Sequence, residues 1–372
     1  MTDPRRPSAT PAAAAAPRAW WRDGLWWRRA ALTYGVALLA GAAAAAVGMP
    51  LPWMLGPFFA CGVISALGVR LASVPLGREL GQMAVGLAVG MRFTPATLLA
   101  TLSLAPAMLG ATVYVVAYTM LGAMLFRPLA GCSPSTAFFA TAAGGVADMA
   151  VVAKDKGADA ASVAIVHALR VSCTVAIVPL LAVSYGQGGT APAPVPGDAS
   201  LLLLPLLILA AFGTVWLLKH TPLPNPWLIG PMFLSIAVGA SGLARITIPP
   251  LLIVLAQLLI GAWLGTRFRR EVLVTLPRVA LAGVVVALFM IVAAFAGAEL
   301  LALATGLPLT TAFLALAPAA VTEMVITAKA MHLDAEIVTA FHVMRIFLVC
   351  STVLAAFRLY NLLRGLARPR AQ

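Results

Sequence analysis

Charged side chains are scarce in this chain. Only 10% of its 372 residues are Asp, Glu, Lys or Arg, whereas ordinary soluble proteins carry about 25%. A soluble domain of this size would need a charged surface, so the scarcity excludes that class. The chain is instead 62% apolar, and its apolar runs of about 17–25 residues are typical of helices that span a membrane. No alternating ten-residue segments of the kind found in membrane β-barrels are visible.

Potential metal ligands are also scarce. The four cysteines form no C-x-x-C pair, and we expect neither a disulfide nor a thiolate metal site from Cys61, Cys132, Cys173 and Cys350. The four histidines show no convincing ligand spacing, so we expect no metal and no cofactor at His167, His220, His332 and His342. No Walker sequence is present, so any energy coupling would use an ion gradient.

Positive charge exceeds negative charge, and the net charge is +13. The arginines stand in ones and twos at the ends of apolar segments, a distribution that indicates cytoplasmic anchoring rather than nucleic-acid binding. The tail 1–29 ends in arginines and in Trp20, Trp21, Trp26 and Trp27, which indicate an interfacial anchor. We interpret the apolar run after it as a first span rather than a signal peptide.

The apolar segments fall into two sets of six. The first set, within 30–183, lies near 30–48, 52–69, 76–92, 98–126, 133–155 and 160–183. A Gly/Pro/Ala linker at 184–199 carries no Lys or Arg. The second set, within 200–357, lies near 200–218, 226–244, 249–266, 275–301, 309–330 and 335–357. A basic tail, 358–372, follows.

The two sets repeat one another. "TAFFATAAGGVADMAVVAKDKGADAASVAIVHALRV" (136–171) returns without a gap as "TAFLALAPAAVTEMVITAKAMHLDAEIVTAFHVMRI" (311–346), an offset of 311 − 136 = 175. "PWMLGP" (52–57) returns as "PWLIGP" (226–231), and "GQMAVGLAVGMRF" (81–93) as "AQLLIGAWLGTRF" (256–268). Three matched blocks predict two homologous halves.

The orientation of the halves has two solutions. If all twelve segments span, the halves are parallel, but the RFRR cluster at 267–270 then faces outward, against the positive-inside rule. If segments 133–155 and 309–330 re-enter on one side, each half has five spans and the second half is inverted. Both termini and most basic residues then lie inside, with single exceptions at Arg92, Arg245 and Lys329. We therefore predict an all-α polytopic protein with inverted repeats of five spans plus one broken or re-entrant element each.

Helix-disrupting residues stand at matching points of these two segments. The first copy has Gly144 and Gly145, and the second has Pro318 where the first has Ala143. Gly loosens a helix and Pro removes a backbone donor. These residues predict a backbone break at membrane depth, although close packing of Gly and a Pro kink would leave the same pattern.

Ionisable residues follow each break. Asp148 and Glu323 stand just beyond it, and Asp159 and Asp334 are candidate helix N-caps for the next segments. Those segments carry His167 with Arg170 and His342 with Arg345, each pair at i, i+3 on one helix face.

Each arginine needs a partner in the membrane. Each histidine lies roughly 12 Å into its span at about 1.5 Å per residue, and an arginine at such depth costs at least ~2.5–3.5 kcal/mol without one. The candidates are the nearby acid or carbonyls freed by the break. We predict a substrate- or ion-binding set of Asp148, His167, Arg170, Glu323, His342 and Arg345; a structural ion pair is the alternative. Gln82 and Gln257, which match one another, are secondary candidates, with helix–helix hydrogen bonding as their alternative role.

The duplicated P-W-x-x-G-P, G-x-R-F and A-x-x-x-x-D/E-M-x-x-x-A-K…D…H-x-x-R patterns resemble those of the AbrB-duplication family of bacterial membrane proteins. The resemblance covers residues 30 to 357. Members are labelled AbrB family transcriptional regulators or ammonia monooxygenases, and the resemblance implies those labels without establishing an activity. The organisation is also similar, by analogy of fold, to ion-coupled carboxylate and cation transporters with broken helices.

Three functions therefore compete. Matching broken elements beside ionisable groups favour a secondary transporter in the bacterial inner membrane, with a small anionic solute and a proton or sodium ion as partners besides the lipid bilayer. A membrane sensor that acts indirectly on gene expression is the alternative, because no helix-turn-helix for direct nucleic-acid contact is visible. An ammonia monooxygenase is least favoured, because the histidines lack ligand spacing, and we expect no catalytic residues.

Overall fold

The computed structural model describes residues 24–144, 146–185, 203–221, 223, 225–242, 244, 246–268, 270 and 276–366. Of the helical residues 146–148, 150, 151, 185 and 366 only the backbone is described. Most of the N-terminal tail, most of the linker and the last residues of the basic tail therefore lie outside the described residues.

The described part of the chain is helical and contains no strand. Its helices, in order, are α1 (Gly24–Ala46), α2 (Pro52–Ala66), α3 (Gly77–Gly90), α4 (Pro95–Ser103), α5 (Ala105–Ala130), α6 (Pro134–Thr141), α7 (Val146–Asp155), α8 (Ala160–Tyr185), α9 (Leu203–Leu218), α10 (Pro226–Ala240), α11 (Pro250–Gly265), α12 (Pro277–Thr305), α13 (Leu309–Leu316), α14 (Val321–Ala330) and α15 (Ala335–Leu366).

Five of these helices are long and apolar enough to cross a membrane, namely α1, α5, α8, α12 and α15. The pair α3 and α4 adds a sixth if counted together, although it is bent by 97°. The shorter apolar helices are α2, α9, α10 and α11. The predicted class, an all-helical polytopic membrane protein, is confirmed. The last helix continues past Phe357, where the sequence predicted its end, to Leu366.

Local sequence signals explain many helix ends. Proline, which fits the first turn because its missing N–H has no helical partner there, begins α2, α4, α6, α10, α11 and α12. Gly131 and Gly306, which stand 175 residues apart, end α5 and α12 in the left-handed conformation. Asp159 accepts hydrogen bonds from the backbone amides of Ala161 and Ser162 at the start of α8, as its predicted N-cap role requires.

The helices pack in two groups. The first group contains α1, α2, α3, α9, α10 and α11; the second contains α5 to α8 and α12 to α15. The two groups meet where α3 contacts α14 and α15. Helix α4, which follows α3, packs against α5 and α15 of the second group.

Close glycine contacts fix the directions of helices in the first group. A Cβ on Gly261 of α11 would lie 2.3 Å from the Met54 carbonyl oxygen of α2, and one on Gly265 would lie 2.7 Å from that of Phe58. Both helices advance together along this contact, so α2 and α11 are parallel. The same relation joins Gly86 and Gly90 of α3 to α10.

Helices α5 and α12 run in opposite directions. The Tyr114 hydroxyl of α5 donates to the Ala293 carbonyl of α12 at 2.7 Å. Further along α5, Gly122 lies against Met290, which precedes Ala293 in α12. These two long helices occupy matching positions of the sequence repeat, since they begin in the fourth segment of each set.

The break segments fold as helical hairpins. Helix α6 runs alongside α8 in the same direction, because Thr136 contacts the Asp159 amide while Phe139 contacts His167 farther along. Helix α7 returns to the start of α8 through the turn at 156–159. Since α7 ends where α8 begins, α6 and α7 are antiparallel arms. The contact of Leu314 with His342 gives α13 and α14 the same arrangement beside α15.

The turn after α14 contains a strained residue that yields a stability prediction. His332 is exposed and has a φ of 55°, whereas the matching residue of the first copy is Gly157, with a φ of 68°. Left-handed backbone is costly for a residue with a Cβ and free for glycine. We expect His332→Gly to raise the free energy of unfolding by about 0.5–1 kcal/mol, measured by thermal unfolding in detergent. Gly157→Ala should lower it, and a lower unfolding midpoint in His332→Gly would contradict this account of strain.

Candidate functional site

The hairpin of α13 and α14 is almost entirely enclosed by protein. Seven of the eight residues of α13 are buried, and so are residues 321–328 of α14. The non-helical residues between the arms include Pro318, which is also buried. At about 1.5 Å per residue, the arms are about 12 and 15 Å long. Each arm is therefore about half as long as a hydrocarbon core of ~30 Å is thick. Irregular backbone inside a membrane is tolerated where protein surrounds it.

Arg345 binds the carbonyl end of this hairpin's first arm. Its guanidinium donates to the carbonyl oxygens of Ala317 and Ala319, both at 2.9 Å. The last carbonyls of a helix have no helical partner and carry partial negative charge, so a buried cation there is stabilising. Of the two predicted partners, carbonyls freed by the break are the ones observed.

The first hairpin has the same contacts at an offset of 175. Arg170 donates to the carbonyls of Thr141 and Ala142, at 3.2 and 2.7 Å, and more weakly to that of Gly144 at 3.5 Å. A Cβ on Gly144 would lie 2.5 Å from the Met149 side chain, which would have to shift to admit it. Gly145 lies outside the described residues.

The histidines bind one turn earlier on each arm. His167 Nε2 lies 2.8 Å from the Phe139 carbonyl oxygen, and His342 Nε2 lies 2.9 Å from that of Leu314. A carbonyl only accepts, so each Nε2 carries the proton. Each buried Nδ1 has no described hydrogen-bond partner. A second proton there would place a positive charge beside the neighbouring arginine, so the histidines are poor carriers of a coupling proton.

The tips of the two hairpins lie against one turn of α5, where the Thr119 carbonyl accepts from the Thr141 hydroxyl of the first hairpin and Tyr118 contacts the second. Arg170 and Arg345 interact electrostatically with each other and with the buried Tyr118 of α5. The Tyr118 hydroxyl donates to the Leu316 carbonyl at 2.9 Å, which gives the last carbonyl of α13 a hydrogen-bond partner. Tyr118 was not predicted from the sequence, because the repeat has Ala293 at the matching position and so gives no paired signal.

Glu323 is buried in the first turn of α14 and does not pair with the repeated arginines. Within the described residues, no ion pair joins it to Arg170 or Arg345. It interacts electrostatically with Arg78 of α3. Its Oε2 atom has no hydrogen-bond partner, and the residue is only 2% exposed. The matching acid, Asp148, lies in α7, but its side chain is outside the described residues.

The two glutamines differ in their surroundings. Gln82 of α3 is buried and donates from Nε2 to the Thr322 hydroxyl at 3.4 Å, next to Glu323. Gln257 is half-buried, and the residue that matches Thr322 in the first copy is Ala147, which has no hydroxyl. The second hairpin, with Gln82, Thr322 and Glu323, therefore carries the larger set of described polar groups.

An ion pair joins the two helix groups at the other end of α3. Arg92 follows α3 and pairs with Glu336 in the first turn of α15. Arg92 was one of the exceptions to the charge pattern, and this contact explains how it is accommodated. The matching positions of the other half are Arg267 and Ala161, so the acid is missing there.

No group of three or more His, Cys, Asp or Glu side chains close enough to hold a metal ion occurs in the part of the chain that the structure describes. The polar groups near the hairpin tips include two capped carbonyl ends, one buried carboxylate, the Gln82 amide and the hydroxyls of Thr322 and Tyr118. Such a set can bind a small polar solute or an ion at the junction of the two helix groups.

The chain is similar over most of its length to known proteins. It is 29% identical over 318 residues to the Bacillus subtilis (strain 168) "Uncharacterized protein YhjN", covering 81% of this chain and 79% of that protein. It is 26% identical over 321 residues to the Escherichia coli (strain K12) "Putative regulator AbrB", covering 82% and 89%. The model of the family described as "Transition state regulatory protein AbrB" matches residues 53–361. The chain therefore belongs to the AbrB family, as the repeated motifs predicted.

Proposed function

We propose that this protein is an ion-coupled secondary transporter for a small anionic solute in the bacterial cytoplasmic membrane. The observation that carries the proposal is the pair of hairpins whose tips lie against one turn of α5, the second of them carrying the buried Glu323, whose Oε2 has no hydrogen-bond partner. Secondary transporters place their sites near the membrane midplane, where broken helices offer backbone dipoles to substrate and ion. The proposal includes no enzymatic step.

Helix directions support inverted halves, which are common in such transporters. Helices α5 and α12 match one another in the repeat and run antiparallel. Helix α2 is parallel to α11, the counterpart of α3. Inversion of the second half accounts for both relations, whereas parallel halves would make α5 and α12 parallel.

The charge around the hairpin tips favours an anionic solute. Arg170 and Arg345 interact electrostatically with each other, and Arg78 interacts with Glu323. Because Arg170 and Arg345 are bonded to carbonyls, their role is to hold the tips and to contribute positive potential. The proton or sodium ion would then bind on the acidic side chain.

Transport by purified protein tests this function. Proteoliposomes would be offered a panel of labelled small carboxylates under an imposed proton or sodium gradient. We expect uptake of at least one member that exceeds uptake by empty liposomes and collapses when an ionophore removes the gradient. Absence of gradient-driven uptake across the panel would count against the transporter.

A regulatory function is the second candidate, because the family description and the Escherichia coli relative's name both refer to regulation. A sensor that acts without transport would alter transcripts in cells while its proteoliposomes show no flux. Stoichiometric copper or iron in the purified protein, lost on replacement of His167 or His342, would instead favour an oxidative enzyme.

The inverted arrangement predicts a specific topology. We expect residue 189 in the linker to be periplasmic, and Arg270 and the C-terminus to be cytoplasmic, because most arginines and lysines then lie inside. Reporter fusions at these three points, with one reporter active on each side of the membrane, provide the measurement. A cytoplasmic signal at residue 189 would contradict inversion.

A further inference from the structure

Arg78 is a cation at the site that the repeat does not reveal. It stands in the first turn of α3, four residues before Gln82, so both side chains lie on one helix face. The position 175 residues later is Ile253, and no paired signal therefore marks Arg78. This face of α3 contacts the start of α14: Gln82 hydrogen-bonds to Thr322, and Arg78 interacts electrostatically with Glu323.

An indole ring holds the Arg78 guanidinium in place. Its Cζ lies 4.6 Å from the centroid of the Trp263 ring of α11, a cation–π distance. Arg267 also lies 4.6 Å from the same centroid, which adds a second positive charge. The Nε atom of Arg78 has no partner, and no described residue accepts a hydrogen bond from this side chain. Its planar set of donors therefore remains open.

The start of α14, which contacts Gln82 through Thr322, also offers hydrogen-bond donors. Ala320 provides no side-chain cap for α14, and the Glu323 amide hydrogen-bonds to its own carboxylate. The amides of Val321 and Thr322 therefore have no described side-chain partner. Uncapped amides at a helix start attract anions. A carboxylate gripped by both edge nitrogens of Arg78 could lie between them and the Gln82 amide.

We propose that Arg78, with Gln82 and the start of α14, binds the carboxylate of the transported solute, and that Glu323 binds the coupling proton. This inference rests on the proposed transport function. It moves anion recognition from Arg170 and Arg345, where the sequence suggested it, to an arginine with open donors.

The electrostatic contact between Arg78 and Glu323 couples the two ligands. When ionised, Glu323 attracts the Arg78 guanidinium and repels an arriving anion. Hydronium transfers a proton to Oε2: one O–H bond of hydronium breaks, one forms on the carboxyl group, and water leaves. The neutral acid then releases Arg78 for the solute. Each ligand then raises the affinity for the other by the same factor.

Several charged or titratable groups set the field at Glu323. They lie on α3, on α8, on α14 itself and on α15, and they are Glu79, Arg78, His167, Arg170, Lys329, Glu336, His342 and Arg345. Arg92 beyond α3 pairs with Glu336 and so offsets its charge. Among the carboxylates that the structure describes, Glu323 differs in being deeply buried with one oxygen free of partners.

Thermal stabilisation of purified protein by acetate, lactate, succinate and citrate tests the site. We expect at least one of them to stabilise the wild type, and to do so more strongly at about pH 5 than at about pH 7. Arg78→Gln should weaken that binding at least about tenfold, as expected for the loss of a charge-assisted pair. Arg78→Lys should restore it only partly, because an ammonium lacks the planar fork.

Lys219→Gln is the matched control, because Lys219 also lies over an indole ring, 4.8 Å from that of Trp227. It should bind as the wild type does. Equal binding by Arg78→Gln, or no stabilisation of the wild type by any of the four acids, would overturn the site. If Arg78→Gln unfolds, the carboxylate affinity of Arg78→Lys decides: an affinity equal to that of the wild type would overturn the site. Binding that depends on Arg78 without uptake in proteoliposomes would keep this site and defeat the transport function instead.

Discussion

Replacing Glu323 with glutamine is expected to abolish the effect of a proton gradient on uptake. Glutamine keeps the size and hydrogen-bonding capacity of a protonated glutamate but cannot gain or lose a proton. Solute binding should survive, because the neutral side chain mimics the state that releases Arg78. We expect uptake into proteoliposomes driven by an imposed pH difference to fall to the level of empty liposomes.

The neutral variant should also abolish the pH dependence of binding. In the wild type, carboxylate affinity should fall as pH rises and Glu323 ionises; in Glu323→Gln, it should stay high and nearly constant. Thr305→Ala, a change at a half-buried residue in the last turn of α12 and outside the site, is the control for purification and reconstitution. Proton-driven uptake by Glu323→Gln at the wild-type rate would place the coupling group elsewhere.

Replacing Arg345 with methionine is expected to destabilise the protein by about 2–4 kcal/mol. The side chain makes two buried hydrogen bonds to carbonyls that have no other described donor. A charge-assisted hydrogen bond contributes about 1.5–3 kcal/mol, and part of that loss is offset because a buried guanidinium no longer has to be desolvated. Arg170→Met should behave in the same way, because its contacts match at an offset of 175.

Thermal unfolding in detergent, with expression level as a second readout, measures this effect. Arg358→Met is the matched control, because Arg358 is an exposed arginine on the same helix. It should unfold within a few degrees of the wild type. If Arg345→Met is as stable as the wild type but loses carboxylate binding, the arginine is a ligand of the solute and the capping role is wrong.

The repeat made much of this architecture predictable. Matching residues at an offset of 175 identified the two break segments, and the depth of Arg170 and Arg345 required partners that the structure supplies as carbonyls. Membrane burial leaves few ways to satisfy a guanidinium, so the sequence narrowed its partners to two. The choice between acid and carbonyl depended on side-chain direction, which spacing along one helix does not determine.

Features without a repeated counterpart could not be predicted in this way. Tyr118 and Arg78 have no equivalent in the other half, and their roles arise from contacts between distant helices. The partnership of Arg92 with Glu336 joins residues 244 positions apart. Such contacts depend on how the two helix groups meet, and apolar periodicity within single segments carries no information about that.

The central claim is that a proton on Glu323 and a carboxylate on Arg78 move together. Proteoliposomes that enclose a pH-sensitive dye test it directly when a carboxylate identified by thermal stabilisation is added outside without any imposed pH difference. The account predicts acidification of the lumen that follows the solute, and no acidification with Glu323→Gln or Arg78→Gln. Solute uptake by the wild type without proton movement, or equal acidification by either variant, would contradict it.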